Sequence, residues 1–537
     1  MSLSGSLFSA LSGINTTQRQ LQVVSNNVNN ANVEGFSRRS APAITRAIDG
    51  QAAGVEATTI KREVDSYLIG ESRTALSAES AATTTAEYLS RAQSFFGTPG
   101  SDSSIAADID RLASEMQRVA STPESANDRT TLVREAERVA RHIQELSGNI
   151  QDLRTDADRA MGTSVEVVND ELSRIADLND EISRRTAMGD TTAELEDQRD
   201  RALDTVAEHL DIRTLDKDTG EVVVMSSSGR VLVDQLAAEL EFTPASTLGI
   251  GADGNSVSVS GVDLDLGANG RLAALDGIRN QQMPDVQAEV DSLAENLASE
   301  VNMLHNLGTG NPPPKTLTGS LALANTTAEV IDITGKVTIS VVDADGKLAD
   351  PRDGAGDPLQ ATVVDFSALT PSPASLEDVR DHINTAFNPS SFAPATITSD
   401  GQLQLSAAGA ATGERIALSE AADVSANLVE AGNPTNTGTN RGFSHFFGLN
   451  DLFVTGTLST MVDPTSSSYN AGDSLTTGPG GMARAIGVRD DVSDDPSRVA
   501  LGQLNIDNVP TAKDGDVGVA EGDGRIAQRM AAAFQED

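Results

Sequence analysis

The chain has 537 residues, a formal net charge of −40 at pH 7 and a sequence pI of about 4.3. Such a charge repels the phosphate groups of nucleic acids and of anionic lipids, so neither is expected as a partner. The chain has no cysteine, which excludes disulfide frameworks, thiolate metal sites and thiol nucleophiles. Its length exceeds the roughly 250 to 300 residues at which a single core stops growing, so several domains are expected.

The sequence contains no candidate for a membrane-spanning helix, because it has no run of about 18 apolar residues. The N-terminus also lacks the basic start of a cleavable signal peptide, since its first Lys or Arg is Arg19. If the protein is secreted, we expect it to leave the cell without a cleavable signal peptide.

The N-terminal segment has small or apolar residues at alternating intervals of four and three, which is typical of a coiled-coil seam. The predicted assembly seam consists of Leu3, Leu7, Ala10, Ile14, Leu21, Val24 and Val28. Arg19 is the only charged residue among the first 33, so the other helix faces carry neutral polar side chains suited to close neighbours. An amphipathic helix packed on its own domain would have the same spacing.

An asparagine-rich stretch follows this helix and contains Asn26, Asn27, Asn29, Asn30 and Asn32, ending at Gly35 and Phe36. Asparagine competes for backbone hydrogen bonds, and glycine adopts positive φ at low cost, so the helix is predicted to end here. The amides could bond to other subunits without adding like charge. The alternative is a frayed helix end.

The rest of the chain predicts an α+β fold that is elongated and multi-domain. Candidate helices cover 62–95, 102–120, 126–161 and 164–187, and valine-rich runs at 222–224 and 231–233 predict a hairpin. A helical face then runs from Val286 to Leu304. Beyond the prolines at 312–314, short β-like runs such as 337–342 and 402–405 predict an inserted domain.

These patterns divide the chain into five parts. They are an assembly helix (1–36), a connector (37–60), a helical body with a β-hairpin (61–310), an inserted β-rich outer domain (311–440) and a return segment that completes the body (441–537).

The sequence contains few of the residue patterns that indicate catalysis. Its five histidines lie more than 60 positions apart, and the phosphate-binding, serine-hydrolase and zinc-protease motifs do not occur. The acidic run at Asp343 cannot be an EF-hand, because Leu348 and Gly354 stand where glycine and glutamate are needed. We therefore predict no catalytic, cofactor or metal site.

Several blocks resemble the axial proteins of the bacterial flagellum, namely ALSGI at 10–14, SNNV at 25–28 and GFSR at 35–38. Others resemble FlgK-type hook-associated proteins: IADLN at 175–179 with Ile182, LEDQRD at 195–200, GRL at 270–272, VNMLH at 301–305 and GFSHFFGLNDLF at 442–453. The family closes with a long C-terminal helix that pairs with the N-terminal one, and we expect this chain to lack it after Asp537.

The resemblance implies a non-enzymatic structural protein at the junction between hook and filament. It further implies a ring or helical layer of identical subunits, contact with hook protein on one side and the next hook-associated protein on the other, an export chaperone, type III export and an extracellular location. Two alternatives remain open at this point. One is another rod, hook or hook-associated protein, and the other is an acidic surface binding protein or glycan-processing enzyme.

Overall fold

The computed structural model describes residues 3–33, 35–48, 51–246, 248–323, 325–327, 331–349, 362–387, 392–408, 413–420, 426–430, 442–455, 481–505 and 515–534. These residues form an α+β structure, as predicted. The chain divides into two compact units. Unit 1 comprises Met1–Ala92 and Gln151–Asp285, and unit 2 comprises Gln93–Ile150 and Val286–Asp537.

The helices are distributed along the whole chain. In order they are α1 (Leu3–Asn29), α2 (Ser66–Phe95), α3 (Ile105–Ser121), α4 (Ala126–Met188), α5 (Ala193–His209), α6 (Arg271–Gly277), α7 (Met283–His305), α8 (Leu376–Ala386), α9 (Phe443–Phe447), α10 (Met482–Ala485), α11 (Asp490–Asp494) and α12 (Arg525–Ala533). A π-helical segment, Ile278–Gln282, joins α6 to α7.

The strands form small antiparallel sheets. They are β1 (Arg39–Ser40), β2 (Ala43–Ile48), β3 (Gln51–Ala57), β4 (Lys61–Arg62), β5 (Ile212–Asp216), β6 (Val222–Ser226), β7 (Val231–Val233), β8 (Leu240–Glu241), β9 (Ser258–Val259), β10 (Val262–Asp263), β11 (Thr316–Ala322), β12 (Ile331–Val342), β13 (Thr362–Asp365), β14 (Ala395–Ile397), β15 (Gln402–Ser406), β16 (Arg415–Ser419), β17 (Ala426–Glu430), β18 (Phe453–Thr455) and β19 (Ile486–Val488).

The helix ends follow local side-chain chemistry. Ser104 caps α3, because its hydroxyl oxygen accepts a hydrogen bond from the backbone N–H of Ala107 at 3.2 Å. Ser375 and Asp378 form a reciprocal capping box at the start of α8. Gly189 follows α4 with φ of +80°, which confirms the predicted end of that helix.

The predicted break between helices 126–161 and 164–187 is wrong, because α4 is continuous for 63 residues. Gly162 lies in this stretch, where glycine costs about 1 kcal/mol relative to alanine inside a helix. In unit 1 its small size instead permits close packing, since a Cβ there would lie 3.1 Å from Cγ of Pro244. Buried Met161 and Val165 on either side keep the apolar stripe unbroken.

The predicted connector at 37–60 contains secondary structure that its residue pattern did not predict. Strands β2 and β3 form an antiparallel hairpin, and β1 pairs with β4 just outside it. The apolar alternation of a half-buried strand is weak here, because alanine is the commonest residue in these strands and larger apolar residues are few, so their pattern gave no strand signal.

The predicted valine hairpin is confirmed in unit 1, where β5, β6 and β7 form one sheet. Asn179 of α4 fastens its central strand to the helix: the side-chain amide donates to the carbonyl of Val222 at 2.8 Å and accepts from the N–H of Val222 at 3.1 Å. Arg199 of α5 in turn donates to Asn179 and to the carbonyl of Gly220.

In unit 2, the β-rich region encloses an apolar core between two small sheets and α8. Strand β12 pairs with β13, β16 and β17, while β15 lies between β11 and β14. The core continues past residue 440 into Phe443, Phe446, Phe447 and Leu449. The boundary at 440 stays a prediction, and removal of residues 311–440 would expose these four apolar side chains.

The C-terminal end of α7 is tied to the segment that follows α9. His305 is fully buried; its Nδ1 lies 2.5 Å from the carbonyl oxygen of Asn450, and its Nε2 accepts from the N–H of Ala500 at 2.8 Å. The Asn302 side chain accepts from the N–H groups of Leu452 and Phe453, both at 2.9 Å. The blocks at 301–305 and 442–453 thus meet in one hydrogen-bonded cluster.

We expect the stability of unit 2 to depend on pH because of the buried carboxyl group of Glu420. Burial raises the pKa of its carboxyl from 4.5 to about 7, although Oε1 accepts from the N–H of Ser444 at 2.5 Å. The neutral form is favoured in the fold, so this contribution to stability is complete below pH 4.5 and is lost as pH rises through 7.

We therefore expect Glu420→Gln to be more stable than the wild type at pH 8, with a difference of about 3 kcal/mol that fades towards pH 5. Urea denaturation at both pH values measures this. The exposed residue Glu521 supplies a control, Glu521→Gln. A difference for Glu420→Gln that is the same at pH 5 and pH 8 would contradict the expectation.

Candidate assembly surface

Helix α1 presents a row of large apolar side chains to solvent. Leu7 is 70% exposed, Leu21 is 64% exposed and Val28 is 70% exposed. The row also contains Ile14 and Val24 from the predicted seam, together with Phe8 and Leu11. Ala10 is exposed as well, and Leu3 lies in the first turn of α1. Exposed side chains of this size in one contiguous row are typical of an interaction site.

The opposite face of α1 packs on the β2–β3 hairpin of the same unit and is largely polar. Thr16 and Val23 are buried there. The Thr16 hydroxyl donates to the carbonyl of Val55 at 3.3 Å, and the N–H of Val55 donates to Ser12 Oγ at 3.2 Å. The Gln20 amide donates to the carbonyl of Ala41 at 3.1 Å. The helix therefore uses hydrogen bonds within its own chain and leaves its apolar row uncovered.

Gly54 makes the close approach of helix and hairpin possible. Its φ is +121°, and a Cβ at this position would lie only 2.3 Å from Ser12 Oγ. Only glycine adopts such a backbone conformation without strain and leaves the required space.

The asparagine-rich stretch serves the chain's own fold at one position and lies exposed at others. The Asn27 side chain donates to the carbonyl of Arg39 at 2.8 Å and accepts from its N–H at 3.0 Å. The Asn30 amide donates to the carbonyl of Asn26 at 2.9 Å. The side chains of Asn26, Asn29 and Asn32 are exposed. Asn27 thus links α1 to β1.

The turn after α1 confirms the expected positive φ at Gly35, which is +71°. A Cβ at Gly35 would lie 2.7 Å from Cδ of Arg201 in α5, so the turn lies directly against that helix. Phe36 packs beneath the Arg39 guanidinium, whose Cζ lies 4.9 Å from the ring centre.

A cluster of ion pairs fixes strands β1 and β4 to α5, and we call it the α5 clamp. Its members are Arg39, Arg62 and Arg73 on one side and Glu196, Asp197, Asp200 and Asp204 on the other. Arg39 Nη2 and Asp197 Oδ2 are 3.0 Å apart, as are Arg62 Nε and Asp197 Oδ1. The LEDQRD block supplies three of the four carboxylates.

Charge attraction in the clamp overcomes the cost of burial. Burial opposes ionisation of Asp200, but Arg62 and then Arg73 outweigh it and lower the pKa of the carboxyl. Burial likewise opposes the charge on Arg62, and Asp200, Asp197 and Glu196 more than compensate, so the pKa of the guanidinium is raised. Both groups are therefore charged at neutral pH.

Other kinds of site find no support in the part of the chain that the structure describes. No group of three His, Asp or Glu side chains there is arranged to hold a metal ion. Among the same residues, no helix combines the length and hydropathy needed to cross a bilayer.

Comparison with known proteins supports the resemblance to flagellar proteins that the sequence blocks indicated. Residues 89–315 match the family model described as "Flagellar hook-associated protein FlgK helical domain", and residues 7–36 match the model "Flagella basal body rod protein". Flagellar hook-associated protein 1 of Salmonella typhimurium is 27% identical over 316 residues, which cover 56% of each chain. These matches show that the chain is similar to hook-associated proteins of the FlgK type.

Two further relatives carry the same description. Flagellar hook-associated protein 1 of Escherichia coli is 26% identical and covers 57% of this chain and 58% of its own. That of Bacillus subtilis is 23% identical and covers 47% and 51%. The chain thus spans about half the length of the curated relatives that it matches.

A solved structure of the flagellar hook junction protein FlgK from Burkholderia pseudomallei aligns with a TM-score of 0.40 and 20% identity, covering 67% of this chain and 64% of that one.

The residues that sequence reasoning missed are those of the α5 clamp and of the buried face of α1. Arg39, Arg62 and Arg73 lie more than 120 positions from their partners. A local pattern carries no information on such pairs, although the LEDQRD block pointed to α5 without giving it a role. Leu11 could have been found, because it lies four residues after Leu7 and three before Ile14 and so shares their helical face.

Proposed function

We propose that the protein is a structural subunit of the bacterial flagellum that joins hook to filament, with no catalytic role. The observation that carries this proposal is the exposed apolar row of α1, on a helix whose polar face is already satisfied by its own hairpin. The similarity to hook-associated protein 1 of three bacteria supports it.

The proposed assembly seam is Leu3, Leu7, Ala10, Ile14, Leu21, Val24 and Val28, and its partner is a helix of another flagellar subunit. Fully burying a Leu, Ile, Val or Phe side chain contributes about 1.5 to 3 kcal/mol. Several such residues in one row therefore outweigh the entropy lost when two helices associate. The exposed amides of Asn26, Asn29 and Asn32 add hydrogen-bond donors and acceptors without charge.

Charge distribution favours the same region for contact between identical subunits. A chain with a net charge of −40 repels its own copies. Helix α1 carries a single charge, on Arg19, so close packing through α1 brings little like charge together. We infer a homo-oligomeric ring or helical layer built on this helix.

The remaining partners follow from the description of the relatives as hook-associated proteins. We propose that the oligomer contacts hook protein on one side and another hook-associated protein on the other, outside the cell. Delivery there is proposed to use the flagellar type III apparatus and an export chaperone.

The test is to delete the gene in its own organism and examine the flagella. We expect hooks without filaments, rescue of filaments by the full chain, and immunogold label confined to the hook–filament boundary. Normal filaments in the deletion strain, or label spread along the filament, would contradict the proposal.

A further inference from the structure

In the part of the chain that the structure describes, polar contacts between the N-terminal segment and α5 converge on a small group of side chains. The β2–β3 hairpin that α1 packs on belongs to the same N-terminal segment, so it cannot by itself hold the helix against α5. Asn27 ties α1 to the backbone of Arg39 with two hydrogen bonds. Arg39 lies in β1, which pairs with β4 at Arg62. Both arginines then reach α5 through the α5 clamp.

Arg62 is the central member of this path. Its guanidinium lies 3.0 Å from Asp197 Oδ1 and 3.5 Å from Glu196 Oε2, and it also bonds to Asp200. It further donates to Ser37 Oγ at 3.0 Å, in the segment that leaves α1. Its side chain is only 7% exposed, and that of Asp197 is 4% exposed. One side chain thus joins β4, the exit from α1 and three carboxylates of α5.

The arrangement of charges gives Arg62 an orienting role. Arg39 and Arg62 are direct partners across the β1–β4 pair, and like charges in that position repel. The carboxylates of α5 compensate both, so the two strands are stable side by side only when they face α5. A planar guanidinium also demands a fixed geometry from its partners, which a flexible ammonium does not.

Two further hydrogen bonds join the N-terminal segment to α5 or to the residues just before it, and both are weaker than the clamp. Arg201 donates to the carbonyl of Gly35 at 3.4 Å, and Thr191 donates to the carbonyl of Ile60 at 3.3 Å. Both are long, and neither has an ionised acceptor. Pairs in which a guanidinium meets a carboxylate are shorter and considerably stronger. The α5 clamp therefore contributes more to this contact than these two hydrogen bonds do.

We propose that Arg62 is a positioning residue for assembly: by clamping β1 and β4 to α5 it sets the direction in which the apolar row of α1 faces its partner. This inference rests on the proposed function, because it assigns a role within the same assembly surface. Arg62 itself is buried and does not touch the partner.

The direction of α1 can be measured in the soluble chain, independently of assembly. The chain has no cysteine of its own, so spin labels can be placed at Gln22→Cys in α1 and Glu208→Cys in α5, both exposed positions of unit 1. Double electron–electron resonance then gives the distribution of distances between the labels. We expect a narrow distribution in the otherwise unchanged chain, a broad one in Arg62→Met, and an intermediate one in Arg62→Lys.

A matched control uses an exposed ion pair of the same unit. Arg184 pairs with Glu181 at 2.7 Å on the solvent side of α4, and its side chain is 69% exposed. Arg184→Met removes the same charge and should leave the distribution narrow. Asp197→Asn tests the clamp from its other side, is nearly isosteric and should broaden the distribution. A narrow distribution in folded Arg62→Met or in folded Asp197→Asn would overturn the proposal.

The link to assembly is tested by the same variants in flagella. Loss of even one charge-assisted hydrogen bond reduces the population of the required orientation about tenfold, and Arg62→Met removes several contacts of this kind. We therefore expect its incorporation to fall by at least about tenfold. Normal incorporation would overturn the positioning role and leave the assembly seam intact. Normal incorporation of a chain whose apolar row is disrupted would instead overturn the proposed function.

Discussion

The double variant Leu7→Asp with Leu21→Asp is expected to abolish incorporation into the flagellum while the soluble chain remains folded. Both residues are mostly exposed in the free chain, so the substitutions should change its stability by no more than about 0.5 kcal/mol. In an apolar contact with a partner helix, each aspartate would have to be buried without a counter-charge, at a cost of several kcal/mol. Motility of the complemented deletion strain and thermal denaturation of the purified chain measure the two effects.

The control for this variant adds the same charge beside the row and not in it. Asn15→Asp with Gln22→Asp places two aspartates seven residues apart at exposed positions next to Ile14 and Leu21. We expect this control to retain most of the incorporation, because the apolar row is complete. Wild-type motility of the Leu7→Asp, Leu21→Asp variant would be incompatible with the proposed seam. Equal loss in both variants would show that charge alone, and not apolar contact, limits assembly.

The largest loss of stability is expected for His305→Ala in unit 2. The substitution leaves a cavity and removes the partners of two buried backbone groups, the carbonyl of Asn450 and the N–H of Ala500. Together these effects should lower the free energy of unfolding by about 3 to 5 kcal/mol. Urea denaturation at pH 8 measures the loss.

The same histidine makes the stability of the wild-type protein decrease in acid. Burial is the main reason that the pKa of His305 is lowered from 6.5 to about 4, so the neutral ring is retained in the fold. The unfolded chain binds a proton first, and this contribution is therefore present above pH 6.5 and lost as pH falls towards 4. The variant should lack this part of the acid sensitivity. His142→Ala, at a half-buried position, is the comparison, and an equal loss in both variants would argue against the special role of His305.

The spacing of apolar residues allowed part of this structure to be predicted. Most of what was missed depends on contacts between residues that are far apart in the sequence. Helix α1 and its seam were predictable because a small or apolar residue recurs every three or four positions, about once per helical turn. The break expected between residues 161 and 164 was wrong, since α4 continues through Gly162, which packs close to Pro244 in a loop 82 positions later. Local propensity cannot reveal such a neighbour.

The sequence likewise predicted only part of the assembly surface. Its apolar row could be read from spacing, but its direction depends on Arg62 and Asp197, which are 135 positions apart and gave no local signal. The β2–β3 hairpin escaped notice because short Ala- and Thr-containing strands have no clear alternation. The neutral polar residues of α1 indicated close neighbours, but nothing in the local sequence showed that Ser12, Thr16 and Gln20 contact the chain's own N-terminal segment.

The reversed polarity of α1, with polar side chains inward on the hairpin and apolar ones outward, has a thermodynamic consequence. Since the helix already has its hydrogen-bonded support, joining a neighbour should chiefly release water from apolar surface. Association of this kind has a negative change in heat capacity and weakens on cooling. Isothermal titration at several temperatures should therefore give a binding enthalpy that falls as temperature rises, and subunits held by this row should separate more readily in the cold than subunits held by salt bridges.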